Sequence, residues 1–171
     1  TTEGQSKALL MEERIKAINP EIEIHVIPHF LMPDEVEEVF SRSFDFVIEA
    51  IDSITPKATV ISTAVMKGLP IVSSMGAGGK LDPTKLEVAD ISKTHTCPFA
   101  QYVRKRLGVL GIRTGVKAVF STEHVIKESL MLTDGSRFKK SAYGTISYLP
   151  ATFGAVCASV AIREILSKQN N

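Results

Sequence analysis

The chain has 171 residues, 44% of them apolar and 23% charged, with a formal net charge of +1. That composition supports a real core and excludes a disordered chain, and so small a net charge leaves only local patches for any nucleic-acid contact. Two cysteines, Cys97 and Cys157, are too few and too widely spaced for a disulfide framework or a paired-cysteine metal knuckle, which points to a reducing, cytoplasmic setting.

Ala8, Met11, Ile15 and Ile18 recur at helical spacing, so a helix is predicted over 7–19, ended by Pro20. Residues 21–27 (EIEIHVI) alternate like a strand. Residues 33–41 read as a short acidic helix with Val36, Val39 and Phe40 on one side. A buried strand is predicted over 44–51, a helix over 56–67 and a further strand over 69–74 (LPIVSS). Strands over 85–91 and 116–121 flank a helix over 99–107. Residues 126–147 show no clear pattern. A long helix over 149–168 has small and apolar residues nearly all round, and is expected to be buried against the sheet or a partner subunit. The uncharged stretch 141–162 is too interrupted, by Gly144, Pro150 and Gly154 among others, for a membrane span, so a core helix is the better reading.

This alternation predicts a single α/β domain over 1–171, with a mainly parallel sheet flanked by helices and an additional β-rich segment. No signal-peptide pattern opens the sequence. The first predicted helix has no strand and no glycine-rich turn before it, although doubly wound folds commonly begin that way. The sequence therefore reads as the later part of a larger Rossmann-like fold.

Asp52 stands where the apolar run 44–51 stops, at the carboxyl end of its strand, the edge at which open α/β sheets bind ligands. A carboxylate there can place Mg²⁺ against nucleotide phosphates. Its other use would be to cap the next helix, but Thr55 with Pro56, or Ser53, already serves that purpose. Lys7, after Gly4, lies in the first turn of its helix, where the helix dipole disfavours a cation unless an anion shares the site; the rival is a solvated surface lysine. The run 74–84 (SMGAGGKLDPT) fails as a Walker loop: Ser74 replaces the first glycine, Leu81 follows Lys80 and a strand comes next. Gly76, Gly78 and Gly79 are expected to serve a turn or a close backbone passage.

His25, His29, His95 and His124 show no metal-ligand spacing. His95 and Cys97 share a loop and offer a weak nucleophile–base alternative. Cys157 is expected to be an inert core thiol. Arg104, Lys105 and Arg106, and again Arg137, Lys139 and Lys140, form basic clusters that are either solvated faces or phosphate contacts.

Taken together, 4–40 (GQSKALLMEERIKAINPEIEIHVIPHFLMPDEVEEVF) and 49–61 (EAIDSITPKATVI) resemble the ubiquitin-activating-enzyme-like adenylyltransferases of the ThiF, MoeB and HesA group. The blocks GAGGKLDPTKLEVADISKTHTCPFAQYVRKRL and VFSTE are similar to the bacterial tRNA threonylcarbamoyladenosine dehydratase branch of that family. The resemblance implies an enzyme that binds ATP and Mg²⁺, adenylates the carboxylate of a threonylcarbamoyl group on tRNA, and closes a ring with release of AMP. By motif, it implies that Lys7 binds phosphate, that Asp52 places the metal, and that Phe30, Leu31 and Ser53 lie around the nucleotide. The family also implies a homodimer. The runner-up is activation of the C-terminal glycine of a ubiquitin-like sulfur carrier, although the cysteines of its usual zinc site are lacking; a third reading is an inert dimerisation module. Glu49 stands where the branch often has aspartate, and the 108–115 connection is short for it. The family's glycine-rich strand–turn–helix and following arginines have no counterpart in this sequence, so this stretch taken alone is expected to be weak or inactive.

Overall fold

The computed structural model describes residues 2–133 and 141–169 and divides the chain into two compact units, 1–32 and 33–171. In the first, α1 (Lys7–Ile18) forms as its periodicity predicts, and the N–H of Asn19 closes it on the carbonyl of Ile15. The strand expected over 21–27 does not form. Ile24 and Val26 are half-buried while Glu23 and His25 are exposed, so the alternation survives in an extended backbone. A strand also needs a neighbour for its N–H and C=O groups, and among the described residues none pairs with this segment.

The second unit is built on a sheet of order β1-β2-β4-β3. Here β1 is Val47–Glu49, β2 Ile71–Ser74, β3 Leu86–Asp90 and β4 Lys117–Ser121. β1 runs parallel to β2 and β2 to β4, whereas β3 is antiparallel to β4. α2 (Val36–Val39) precedes β1 and buries Val36. Two helices, α3 (Ile54–Met66) and α4 (Pro98–Val109), pack together, and α3 lies against β1 and β2. α5 (Tyr148–Gln169) packs on β1, β2 and β4.

Strand periodicity sorts the core. Val72 and Val119 pack with Leu149, Phe153, Cys157 and Val160 of α5. Their strand neighbours Ser73, Ala118 and Phe120 are also fully buried, and alternation turns them to the other face. The expectation of a wholly buried 44–51 strand is corrected: only 47–49 joins the ladder, at the sheet edge, and Ile48 is 50% exposed. The last helix is likewise buried on one side alone, with Ile162 and Leu166 exposed. By length and composition α5 is, among the described residues, apolar enough to cross a membrane; in the structure its Leu149–Val160 face is part of the core.

Where the sequence offered no pattern, β5 (Leu130–Leu132) and β6 (Ser141–Tyr143) form an antiparallel pair. Its end crosses the glycine run: the N–H of Gly79 donates to the carbonyl of Gly144, and the N–H of Ile126 to that of Gly79. Gly79 has φ +69, and a Cβ there would lie 2.5 Å from Val125 Cγ1. The left-handed backbone costs a side-chain-bearing residue about 1–2 kcal/mol, and the clash adds a similar amount. Gly79→Ala is therefore expected to lose about 2–4 kcal/mol of stability, read as a lowered urea midpoint with an unchanged slope. A midpoint equal to that of the parent would show that the crossing yields without cost.

Candidate functional site

The parallel strands β1 and β2 end on one edge of the sheet, and the chain leaves both ends through short connections. Asp52 lies in the connection from β1 to α3 and is exposed. Ser53 is the N-cap residue of α3 by position, although its side chain makes no cap hydrogen bond, and the Thr55 cap expected from the sequence is corrected, since Thr55 lies inside the helix with Pro56. Ser53 is 2% exposed, and its Oγ lies 3.5 Å from Asp52 Oδ1. The structure thus brings Asp52 and Ser53 together at the expected edge.

Beneath them lies a constellation that sequence reasoning missed. Glu49 on β1 and Lys57 on α3 are 3% and 0% exposed and form an ion pair of 2.6 Å. Ser73 Oγ donates to Glu49 Oε2 at 2.6 Å, and the backbone N–H of Ile51 donates to Oε1 at 2.6 Å. Lys57 Nζ also donates to the carbonyls of Ile51 (3.0 Å) and Ser74 (2.8 Å), and sits 5.4 Å from the centre of the Phe99 ring. Burial pushes the Lys57 ammonium below its ordinary value, and the Glu49 carboxylate opposes that. The signal was present. Lys57 shares a helix face with Ile61 and Ala64, four and seven positions on, and Glu49 interrupts an apolar strand, so each charge called for the other.

Lys7 is the first residue of α1 and is exposed; Gly4 before it has φ +82, and Ser6 caps the helix without a side-chain bond. Phe30 and Leu31 are half-buried in the extended end of the same unit.

The weaker alternatives resolve differently. Cys97 is buried with its sulfur 3.7 Å from Lys80 Nζ, while the His95 ring is exposed beside Thr96 and edge-on to Phe120, so their side chains part. Lys80, 2% exposed, also donates to the carbonyl of Gly76 at 2.8 Å, which gives the glycine run a structural tie. Burial, partly offset by Lys57, pushes the Cys157 thiol up, as an inert core thiol requires. Arg104 is half-buried and its guanidinium bonds the carbonyl of Thr94 at 2.6 Å and the Thr94 hydroxyl, whereas Lys105 and Arg106 are exposed. The cluster of Arg137, Lys139 and Lys140 lies outside the described residues.

Among the described residues no three or more His, Cys, Asp or Glu side chains gather into a metal cage. Mg²⁺ needs none: it keeps several waters and takes one or two carboxylates with the oxygens of a phosphate substrate. An exposed Asp52 at the ligand edge fits that manner of binding.

The chain is similar to known proteins along nearly its whole length. It is 36% identical over 173 residues to the tRNA threonylcarbamoyladenosine dehydratase of Bacillus subtilis, covering 97% of this chain and 68% of that protein. The crystal structure of the Escherichia coli enzyme TcdA in complex with ATP superposes with a TM-score of 0.83 at 37% identity, covering 98% of this chain and 66% of that one. The chain thus spans about two thirds of the length of these relatives. A sulfur carrier protein adenylyltransferase of Thermus thermophilus is 34% identical over 74 residues, only 42% of this chain. The ThiF family matches residues 2–171, and the chain belongs to that family.

Proposed function

We propose that this chain acts as an ATP-dependent dehydratase on threonylcarbamoyladenosine in tRNA. It activates the carboxylate of that nucleoside as an adenylate and closes it to a ring, with release of AMP. One observation carries the reading: the likeness to the ATP-bound E. coli enzyme extends over 98% of this chain. The sheet edge adds to it, because Asp52 and Ser53 stand where a nucleotide of an open α/β sheet lies.

In this reading the family motif alone assigns Lys7 to phosphate and Phe30 and Leu31 to the base. Asp52 holds Mg²⁺ through its carboxylate. A cation held there would supply neutralisation of the phosphate charge. Lys105 and Arg106, both exposed on α4, contribute contacts to the tRNA backbone. The protein works in the cytoplasm, and the exposed Ile162 and Leu166 of α5 support a homodimer.

The alternative, activation of a sulfur carrier's C-terminal glycine, has only the partial match to the Thermus enzyme behind it. The full-length protein, given ATP and Mg²⁺, is expected to form AMP with tRNA bearing threonylcarbamoyladenosine and not with unmodified tRNA. Pyrophosphate exchange stimulated by a ubiquitin-like carrier, with no response to modified tRNA, would select the alternative.

A further inference from the structure

The buried Glu49–Lys57 pair grips the residue next to Asp52 by both of its backbone polar groups. Glu49 Oε1 accepts the N–H of Ile51 at 2.6 Å, and Lys57 Nζ donates to the carbonyl of Ile51 at 3.0 Å. That carbonyl belongs to the peptide unit joining Ile51 to Asp52, so its orientation, and with it the exit direction of Asp52, is set from below. Lys57 makes a further bond, 2.8 Å, to the carbonyl of Ser74 at the end of β2, and Ser73 Oγ braces Glu49 Oε2 at 2.6 Å. The connection after β1 is therefore tied to the end of β2 through one ion pair.

A buried ion pair is an expensive way to fill space, because well-packed apolar side chains of like volume are commonly as stable or more so. What it offers here is direction: a carboxylate and an ammonium fix an N–H and a C=O that an apolar pair would leave to turn. We propose that Glu49 and Lys57 are positioning residues for Asp52, acting on catalysis through the Ile51–Asp52 peptide and not by touching substrate. This rests on the dehydratase reading, with Asp52 as the metal-placing carboxylate.

A double-mutant cycle on the full-length protein separates the two claims. The neutral, size-matched variant Glu49→Gln/Lys57→Met is combined with Asp52→Ala, and turnover with modified tRNA is measured across a Mg²⁺ series together with Tm. The size-matched pair is expected to keep a Tm within a few degrees of the parent, to lose at least about tenfold in turnover, and to need more Mg²⁺ for half-maximal rate. Added to Asp52→Ala, it is expected to cost nothing further. Full turnover at the parent's Mg²⁺ requirement, or losses that multiply when the variants are combined, would overturn the positioning role. Should the paired variant fail to fold, Ser73→Ala, which removes one brace from Glu49, carries the same test: its smaller loss of turnover must also vanish in the Asp52→Ala background. Parent-like turnover of Asp52→Ala alone would instead remove the reading on which the proposal stands.

Discussion

Asp52→Ala in the full-length protein is expected to lower AMP formation with modified tRNA by about 10²–10³-fold, the usual effect of removing one preorganised electrostatic group from a reacting centre. The same substitution is expected to leave the fold within about 0.5 kcal/mol, as an exposed position outside the core allows. The structure supports this separation of activity from stability. Asp52 is exposed, and the buried Lys57 ammonium has Glu49 as its main counter-charge, with Asp52 the smaller influence. Turnover at varied Mg²⁺, with Tm measured in parallel, checks both halves. A large drop in Tm would make Asp52 a structural residue, and unchanged turnover would move the metal elsewhere.

Much of the fold was legible because its rules are local. The helical spacing of Ala8, Met11, Ile15 and Ile18 and the stop at Pro20 specify α1 from side-chain geometry and a missing N–H. Residues 21–27 show the limit of such reading: alternation reports which side chains face inward, but whether an extended segment becomes a strand depends on a partner elsewhere. α5 shows another limit. Apolar residues nearly all round predicted burial against the sheet or a partner subunit; the face carrying Leu149, Phe153, Cys157 and Val160 does meet the sheet, but the pattern did not say which face that would be.

The candidate site divides in the same way. Asp52 was legible because its place at a strand end is a property of neighbours in sequence. The ties of the pair below it were not, since Glu49 bonds Ser73, 24 residues away, and Lys57 bonds the carbonyl of Ser74, 17 residues away. Such ties require knowing that β1 and β2 are adjacent and in register, Glu49 beside Ser73. The two misplaced charges announced that something was buried. They did not say what they held.

The pair has a second consequence, in stability. Glu49→Gln removes the counter-charge from an ammonium that is 0% exposed, and breaking a buried pair on one side is expected to cost about 3–5 kcal/mol. The pH dependence follows from Lys57. Burial already holds its folded pKa below the ordinary 10.5, and the attraction of Glu49 works against that depression. With Glu49 neutralised, burial loses its main opponent, the lesser pull of Cys157 and Asp52 remains, and the folded value falls further. Between that value and 10.5 the unfolded chain keeps a proton that the folded one has released, so stability rises with pH through that window. Relative to the parent, the deficit of Glu49→Gln is thus expected to be fully present below the variant's folded pKa and to shrink as pH climbs to the parent's own Lys57 value, itself below 10.5. Adding Lys57→Met removes the stranded charge, and is expected to recover most of the loss and to abolish its pH dependence. Urea unfolding of the single and paired variants at several pH values reads all of this. A Glu49→Gln protein as stable as the parent, or a deficit that grows with pH, would mean that Lys57 finds another counter-charge or lies in water after all.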